Sequence, residues 1–510
     1  MRRPDTSGRR YVLAHVLGFG VVLALAGCAA TAPPATVPVS APPQWYAPLP
    51  PGTTTPTSSV TPSLPHHGSL TGLSQWWQQQ NDPLLVELIE AAQAVSPSVI
   101  TARSNIEQAQ ATRASSEAAL LPTLDGTGGL SRSQSAPINR TIVAPPTNLA
   151  QLGLQTSWEL DMFGQNRASL EADKERLQGT EAMWHDARVS VAAEVANQYY
   201  SLRACEKLLL IARADARSRA ETARLTGLMT RAGFEAPATA ALALASSAEG
   251  NSRMTQQQAQ CEVDVKALVA LTAFAEPALR QKLEQAPADV PQQGIAEISS
   301  IPAEVLAQRP DVFNAARELT AASFEVGSAR AQRYPRLSIT GSVTTNRARA
   351  RAFSQNFDTW SIGPLALTVP LFDGGVSQAH LEAAKTRYEE AAGKYRATVR
   401  QAVREVEEAL VNLQSTTDRG GDTVVASEGY RASFAGTEAR YKAGLASLVE
   451  LEESRRTLLS AQGAVANLEK ERRSAWIALY RALGGGWTVS APPATPMVFD
   501  IPASALPSWP

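Results

Sequence analysis

Residues 370–413 read PLFDGGVSQAHLEAAKTRYEEAAGKYRATVRQAVREVEEALVNL, and this stretch decides the fold. Beyond the Asp-Gly-Gly turn, apolar residues recur at every third or fourth position, at Leu381, Ala384, Tyr388, Ala391, Tyr395, Val399, Ala402, Val406, Ala409 and Leu413. This spacing lies between a heptad repeat and the helical period of 3.6 residues, so it predicts one long amphipathic helix. No proline occurs between residues 376 and 491. The helix can therefore run to Tyr441, about 100 Å at ~1.5 Å per residue.

Most side chains on this stripe are alanine or of modest size, whereas Arg, Lys, Glu and Gln fill the other positions. A helix of this composition packs closely against similar neighbours and keeps one face in water. Gly420-Gly421 is the weakest point along it. A compact globular domain has no use for such a helix.

The N-terminus has the three parts of an export signal. Four arginines among the first ten residues precede the apolar run 11–27, which leads into Leu25-Ala26-Gly27-Cys28. This tetrapeptide resembles a bacterial lipobox, which implies that residues 1–27 are removed and that Cys28 carries a diacylglyceryl group with fatty acids such as palmitate. Ala29 after the cysteine implies delivery to the outer membrane. The alternative is an ordinary signal peptide that ends near a cysteine.

Residues 28–70 are rich in proline, threonine and serine and have few apolar side chains. Such a composition cannot form a core, so this lipidated segment is predicted to be an extended tether. His66-His67 lies within it, but a histidine pair in a flexible polar segment is a weak metal signal.

Charge and hydropathy exclude two further classes. The 510 residues have a formal net charge of −1, so no basic excess points to nucleic acid as a partner. After the leader there is no apolar run of about eighteen residues, and no transmembrane helix is predicted. A membrane crossing by this chain would require strands.

The mature chain contains the same plan twice. Four pairs of matching residues are each separated by 213 positions: Pro97 and Pro310, Pro122 and Pro335, Leu124 and Leu337, and Gly128 and Gly341. This constant spacing indicates an internal duplication. We assign residues 71–300 to a first structural repeat, residues 301–488 to a second, and residues 489–510 to a C-terminal tail.

Each repeat is predicted to contain two helices, a pair of strands and a helical hairpin. Short helices are expected at 82–95 and 301–308, and longer ones end before Pro122 and Pro335. Alternating apolar and polar residues mark the strands. The last strand is expected at 360–371, with a bulge at Gly363-Pro364.

Four strands per chain are too few to close a sheet in a bilayer, because single-chain barrels need about eight or more. Partners are therefore required, and three copies would supply about twelve strands. The predicted fold class is an α+β membrane protein that pools its strands between chains.

Each repeat ends in a long descending helix and a shorter returning helix, with turns predicted at 231–234 and 442–445. For the helices alone, the alternative is a soluble coiled-coil rod or a spectrin-like bundle. Strand pairs inserted at the same place in both repeats argue against a rod.

Cys205 and Cys261 lie at equal distances from the first turn, since their midpoint, (205 + 261)/2, is residue 233. Residues equidistant from the turn of an antiparallel hairpin sit at the same height, and exported proteins keep paired cysteines as disulfides. We predict a disulfide between them. The alternative is two separate buried thiols that act as small apolar residues.

Three stretches resemble the TolC-like outer-membrane efflux proteins, in particular the lipoprotein branch, often labelled NodT-type, that serves resistance-nodulation-division (RND) pumps. They are residues 306–312 (LAQRPDV), residues 441–456 (YKAGLASLVELEESRR) and residues 482–487 (ALGGGW). The resemblance extends from about Trp76 to Trp487. It implies a homotrimer with a 12-stranded outer-membrane β-barrel and a long periplasmic α-helical barrel.

The resemblance also implies partners and an activity. The trimer is expected to dock on a periplasmic adaptor and an inner-membrane RND transporter, and to conduct small toxic compounds passively to the exterior. No cofactor or nucleotide is implied. The alternatives are a type I secretion outlet for proteins and a non-conducting periplasmic rod.

Two sites follow from the resemblance. Glu450 and Glu453 fall where the family commonly closes the periplasmic end of the tunnel with acidic side chains. Alternatively, these glutamates form a solvated face or pair with Arg455 and Arg456. The turns at Gly233 and Gly444 are the expected contacts with the adaptor.

No sequence pattern supports catalysis. The chain lacks a glycine-rich phosphate loop, a pair of metal-binding histidines on one helix and a nucleophile elbow. His185 and His380 each stand alone on a predicted helix. Trp76-Trp77 is expected to pack against the helices rather than to bind sugar.

Overall fold

The computed structural model describes residues 32–39, 42–48, 76–134, 146–286, 306, 308–351 and 353–487. Four expectations fall wholly or mostly outside these residues: the export signal, lipidation at Cys28, the short helix at 301–308 and the C-terminal tail.

The first repeat has six helices and two strands in its described residues. They are α1 (Trp76–Gln79), α2 (Pro83–Val95), α3 (Pro97–Ala118), β1 (Thr123–Ser133), β2 (Thr147–Leu160), α4 (Gln165–Arg231), α5 (Pro237–Thr272) and α6 (Glu276–Gln285).

The second repeat follows the same plan. Its described elements are α7 (Pro310–Ala331), β3 (Arg336–Ala350), β4 (Phe353–Thr368), α8 (Val376–Lys442) and α9 (Leu448–Ala482). Matching elements have nearly equal lengths, with 67 residues in both α4 and α8, 36 in α5 and 35 in α9. The duplicated units and the long helix predicted from residue 376 are confirmed.

Local sequence explains where these helices begin. Pro97, Pro237 and Pro310 each occupy the first helical turn, where a missing N–H costs nothing. Gly164 and Gly375 precede the two long helices with φ of +77° and +93°, a region that disfavours other residues.

The four strands form one antiparallel sheet in the order β1-β2-β3-β4. The helices adjoin only one end of this sheet, because β1 and β3 begin where α3 and α7 have ended, and β2 and β4 finish just before α4 and α8. The sheet therefore adjoins the N-terminal ends of α4 and α8, opposite their ends at Arg231 and Lys442. Its outer strands, β1 and β4, each have one edge without a partner strand among the described residues.

The bounds of β4 differ from those predicted. It begins at Phe353 rather than at residue 360, and it ends at Thr368 rather than at 371. The early part is polar and shows no apolar alternation, yet it pairs with β3, for example Ser354 with Arg349. The strand stops early because Pro370 cannot donate a ladder hydrogen bond.

The predicted bulge is confirmed. Ile339 pairs with Leu365, whereas Gly341 pairs with Ile362. A step of two residues along β3 therefore matches a step of three residues along β4. The extra residue is accommodated at Gly363-Pro364, where Gly363 has φ +101°.

The main core lies midway along the helical hairpins. Fully buried leucines from five helices meet there: Leu85, Leu88, Leu202, Leu268, Leu410 and Leu479. Trp76 is 1% exposed and stacks on Tyr480 at 5.0 Å between ring centroids. Trp77 also contacts Tyr480, at 4.9 Å. The prediction that both tryptophans pack against the helices is confirmed.

The LAQRPDV stretch has a structural role. The guanidinium of Arg309 is buried and pairs with Asp311 and with Glu405 on α8, each at 2.7 Å. It also donates to the carbonyl of Ala482 at 2.9 Å. One arginine thus ties together the start of α7, the side of α8 and the end of α9.

The segment predicted to be a tether is not free in its described residues, 32–39 and 42–48. The backbone amides of Tyr46 and Ala47 donate to the carboxylate of Glu407 at 2.7 and 2.8 Å. The hydroxyl of Tyr388 donates to the carbonyl of Pro34 at 2.9 Å. An extended proline-rich chain has unpaired backbone groups. Side chains of α8 bind them and dock this segment onto the second repeat.

Within the described ranges, no single helix combines the length and apolar character needed to cross a membrane, although α2 and α3, bent by 50°, pass that test together.

Candidate functional site

Both helical hairpins end in the same glycine turn. Gly233 and Gly444 follow α4 and α8 with φ of +82° and +74°. In each turn the next residue donates back to the helix, Phe234 to the carbonyl of Met229 at 2.9 Å and Leu445 to that of Arg440 at 2.8 Å. This is the usual way to satisfy the last carbonyls of a helix, and it needs a left-handed residue. The predicted turn positions are confirmed.

The two tips carry exposed apolar side chains. Phe234 is 80% exposed and Leu445 is 71% exposed. The tips are also joined to each other, since the hydroxyls of Thr226 on α4 and Tyr441 on α8 lie 3.0 Å apart. The hairpin ends thus lie together, and each turn presents one large exposed apolar side chain.

Glu450 lies on the exposed first turn of α9. Its backbone amide is capped by the hydroxyl of Ser447 at 3.2 Å, and its carboxylate lies 3.5 Å from Arg440. Its side chain keeps 51% of its surface in solvent. An exposed ion pair of this kind contributes little stability, so the carboxylate remains available for other contacts.

Glu453 is also exposed, and its carboxylate lies 3.1 Å from the guanidinium of Arg456. This is one of the pairings that the sequence left open. The other, with Arg455, is not formed: Arg455 turns away from Glu453 into the protein.

A buried charge cluster, missed by the sequence analysis, lies behind Glu450 and Glu453. We define it as Asp215 and Arg219 on α4 with Glu452 and Arg455 on α9. These side chains are 3–11% exposed. Two carboxylates face two guanidiniums, so the cluster has no net charge.

The cluster is closely hydrogen-bonded. Arg219 binds Asp215 at 2.9 Å and Glu452 at 2.6 Å, and Arg455 binds the other oxygen of Glu452. The hydroxyl of Ser246 on α5 donates to Glu452 at 2.7 Å. Three helices are therefore held by one set of charges. Isolated buried charges are costly, and this mutual pairing offsets the loss of hydration.

Arg455 is bound less symmetrically. It donates to the hydroxyls of Ser218 and Thr222 at 3.1 and 3.2 Å and lies over the ring of Phe434 on α8. Burial lowers its pKa below the ordinary value for arginine, and the charge of Arg219 acts in the same direction. Arginine still stays protonated at neutral pH.

The sequence did contain a signal for this cluster. Glu452 and Arg455 stand at helical spacing from Leu448 and Leu458, on a stripe where apolar residues are expected. A charge at such a position indicates a buried partner rather than a solvated face.

Cys205 on α4 and Cys261 on α5 are disulfide-bonded in this structure, with their Cα atoms 5.5 Å apart. Both residues are buried, at 4% and 7% exposure. The amide of Gln257 donates to the sulfur of Cys205 at 3.0 Å. The structure thus brings together the two cysteines that lie equally far from Gly233.

The described residues hold no group of three or more His, Cys, Asp or Glu placed for a metal ion. His185 is partly buried beside Trp184, with ring centroids 4.9 Å apart, and burial lowers its pKa. His380 is exposed. The two histidines lie on different long helices.

Known proteins share both the sequence pattern and the fold. The chain is 28% identical over 421 residues to the solvent efflux pump outer membrane protein SrpC of Pseudomonas putida, covering 80% of this chain and 87% of that protein. It is 27% identical over 424 residues to nodulation protein T of Rhizobium leguminosarum bv. viciae, covering 81% and 85%.

Among solved structures, the outer membrane channel CmeC of Campylobacter jejuni superposes with a TM-score of 0.79 at 24% identity, covering 91% of this chain and 96% of CmeC. This likeness supports the fold.

The family model described as outer membrane efflux protein matches residues 88–273 and 301–485. These two ranges start and end within the two repeats, and together they span most of the chain. The resemblance stated from the sequence is confirmed: the chain belongs to the outer membrane efflux protein family.

Proposed function

We propose that this chain is the outer-membrane channel of a tripartite efflux system, and that it works as a homotrimer. Passive conduction of small toxic compounds needs a continuous path from the periplasm to the exterior. The parts of such a path are an outer-membrane barrel and a periplasmic tunnel.

One observation carries the proposal: an open four-stranded sheet with an apolar face adjoins one end of helices about 100 Å long. Large apolar side chains on one face of the sheet are exposed in the single chain. Examples are Leu124, Leu152, Leu154, Trp158, Val343, Trp360, Ile362, Leu365 and Leu367. A surface of this kind is expected to contact lipid.

The two open edges require pairing between copies of the chain. An edge strand offers unpaired N–H and C=O groups, which must be satisfied in a bilayer. Pairing β4 of one copy with β1 of the next is a head-to-tail contact that closes after a fixed rotation. Three copies give three times four strands, about twelve in all, which is an allowed barrel size.

The finer assignments are proposals as well. Glu450 and Glu453 are proposed to line the closed periplasmic end, where three copies would bring six carboxylates together. Gly233 and Gly444 mark the proposed docking sites of a periplasmic adaptor that connects to an inner-membrane RND transporter. The exposed Phe234 and Leu445 provide apolar surface for that contact.

Two covalent features complete the proposal. Lipidation at Cys28 is proposed to hold the N-terminus at the outer membrane, with the docked residues 32–39 and 42–48 following the anchor. The bond between Cys205 and Cys261 is proposed to form in the oxidising periplasm and to hold the first hairpin in register.

Purified protein in planar bilayers tests the channel directly. We expect a trimer by mass and discrete, stable conductance steps. A gene deletion should increase susceptibility to a panel of antibiotics, dyes and solvents, and the wild-type gene should restore resistance. A purified monomer that never conducts would contradict the proposal.

The adaptor contact is tested by photo-crosslinking in cells. A photoreactive residue at position 234 or 445 should capture an adaptor, whereas one at exposed Val425, farther from the tip on α8, should not. Equal capture at all three positions would contradict docking at the tips.

A further inference from the structure

The strand register shows which residues lie on each face of the sheet. Leu337, Ile339, Val343, Arg347 and Arg349 alternate on one face of β3, which is the apolar face, and Ser338, Thr340, Ser342 and Asn346 occupy the other. Because directly paired residues share a face, the pairing extends these rows across all four strands.

The apolar face ends in a basic cluster, which we define as Arg132, Arg347 and Arg349. Arg132 pairs with Asn148, and Asn148 pairs with Arg349, so the two arginines lie in one row. Two strand spacings separate them, about 10 Å. Arg347 lies two residues from Arg349 on the same face, about 7 Å away.

All three arginines are exposed, and none forms a salt bridge with another described residue. The nearest carboxylate on this face belongs to Asp358, which pairs with Thr345 one row below Arg347. Three cations therefore face one anion. The remaining strand arginine in the described residues, Arg336, lies on the polar face at the other end of β3.

The cluster borders a surface groove with an amphiphilic lining. Its apolar part is formed by Leu130, Leu149 and Ala150, and its polar part by Ser131, Arg132, Asn148, Arg347 and Arg349. A groove of this composition fits an amphiphile, with acyl chains against Leu130 and an anionic headgroup against the arginines.

The height of the cluster matches the edge of a membrane. Ten residues separate Leu337 from Arg347, which is about 33 Å along a strand. At the usual strand tilt of about 40°, this becomes about 25 Å along the membrane normal, the height of the apolar band of outer-membrane barrels. The helices adjoin the opposite end of the sheet, so the arginines lie at the outer leaflet.

We propose that Arg132, Arg347 and Arg349 bind the phosphate groups of an outer-leaflet glycolipid of the lipid A type, one site per subunit. The inference rests on the proposed function, since it needs the barrel to be inserted with its helices in the periplasm. Arginine is suited to this role because its planar guanidinium binds phosphate oxygens in a bidentate way. Anionic headgroups are commonly held by basic clusters at the membrane surface.

The test uses the full-length trimer in nanodiscs of zwitterionic lipid. Two fluorescent probes are compared, lipid A with both phosphates and the same molecule after enzymatic removal of its phosphates. We expect the wild type to bind the phosphorylated probe at least tenfold more tightly. The variant Arg132→Gln/Arg347→Gln/Arg349→Gln should bind both probes equally.

A matched control removes three exposed charges elsewhere. Arg387→Gln/Arg396→Gln/Arg400→Gln on α8 should keep the tenfold preference. If this control and the cluster variant lose the preference equally, only net charge matters and the site is refuted. If inorganic pyrophosphate displaces the lipid probe at equal concentration, the site binds a soluble anion and the assignment to lipid is refuted.

Two further measurements keep the result interpretable. The single variant Arg349→Gln should lower the preference about threefold, which covers the case in which the triple variant does not fold. Conductance separates the two proposals. A conducting wild-type trimer without phosphate preference overturns only the lipid site, whereas the absence of conducting trimers overturns both.

Discussion

Nη1 of Arg219 on α4 lies 2.6 Å from a carboxylate oxygen of Glu452 on α9, and both side chains are buried. This contact joins the two hairpins, since α4 belongs to the first repeat and α9 to the second. It lies directly behind the proposed gate residue Glu453. The packing that supports this end of the helices is therefore shared by both repeats.

The buried charge cluster should be far more important for stability than the exposed pair beside it. Arg219→Ala leaves Asp215 and Glu452 buried without their cation, which should cost about 3–5 kcal/mol of unfolding free energy. The control Arg456→Ala removes the exposed partner of Glu453 and should cost about 1 kcal/mol or less. Denaturant unfolding at equal protein concentration measures both. Similar costs for the two variants would contradict the prediction.

Glu450 and Glu453 should set ion preference. Their carboxylates give the proposed constriction a negative potential, which favours cations. In Glu450→Gln/Glu453→Gln the reversal potential in a salt gradient should move toward that of a non-selective pore. Glu390→Gln/Glu408→Gln on α8 removes the same charge from exposed sites far from the tip and should leave selectivity unchanged. A double tip variant as selective as wild type would refute the gate assignment.

Gly444 and Gly436 should respond to alanine in opposite ways. Gly444 has φ +74°, so Gly444→Ala forces a left-handed alanine and should cost about 1–2 kcal/mol. Gly436 lies inside α8, and no atom lies within 4 Å of the place that an alanine Cβ would occupy there. Gly436→Ala should therefore stabilise by up to about 1 kcal/mol. Thermal unfolding of the two variants decides the matter. A Gly444→Ala variant as stable as the wild type would show that the turn does not require glycine.

The cysteine pair should be oxidised in protein purified from the membrane. Non-reducing peptide mapping should link the peptides of Cys205 and Cys261, which are 56 residues apart. In the chain-entropy account, closing a loop of this length stabilises by about 4 kcal/mol. Cys205→Ser/Cys261→Ser should lower the unfolding midpoint to that of the reduced wild type. Alkylation of both thiols without prior reduction would refute the pairing.

Asp373 should make the start of α8 sensitive to acid. The hydroxyl and amide of Ser377 and the amide of Gly375 bind its carboxylate and lower its pKa from 3.8 to about 2. Since the pKa is depressed in the folded state, the stabilisation is present above pH 3.8 and is lost as the pH falls through about 2. Asp373→Asn should therefore unfold at a lower temperature than wild type at pH 6, with a smaller difference at pH 2.5. Asp422→Asn, an exposed control on α8, should unfold at the wild-type temperature at both pH values. If the difference in unfolding temperature between Asp373→Asn and the wild type is the same at pH 6 and pH 2.5, the role of the Asp373 carboxylate is contradicted.

Much of the architecture followed from local patterns. The stripe from Leu381 to Leu413 predicted α8, because the period of the apolar residues is a local property of the sequence and the neighbouring helices have the same pattern. The constant spacing between Pro97 and Pro310 predicted two copies of one plan. Glycine identified both turns, since few other residues adopt positive φ. Equal distance from Gly233 was enough to predict that Cys205 and Cys261 lie together, because residues equally far from the turn of an antiparallel hairpin lie at the same height along it.

Other features were decided only when distant segments met. The polar start of β4 carries no alternation, and it becomes a strand because β3 offers a partner. Glu407 and Tyr388 on α8 bind the backbone of the N-terminal segment, which by composition alone is a free tether. Glu452 and Arg455 stand on the apolar stripe of α9, which indicates burial, but their partners Asp215 and Arg219 come from the other repeat. The sequence shows that a charged side chain or an unpaired backbone group needs a partner, but only the packing of the whole chain decides which residue that partner is.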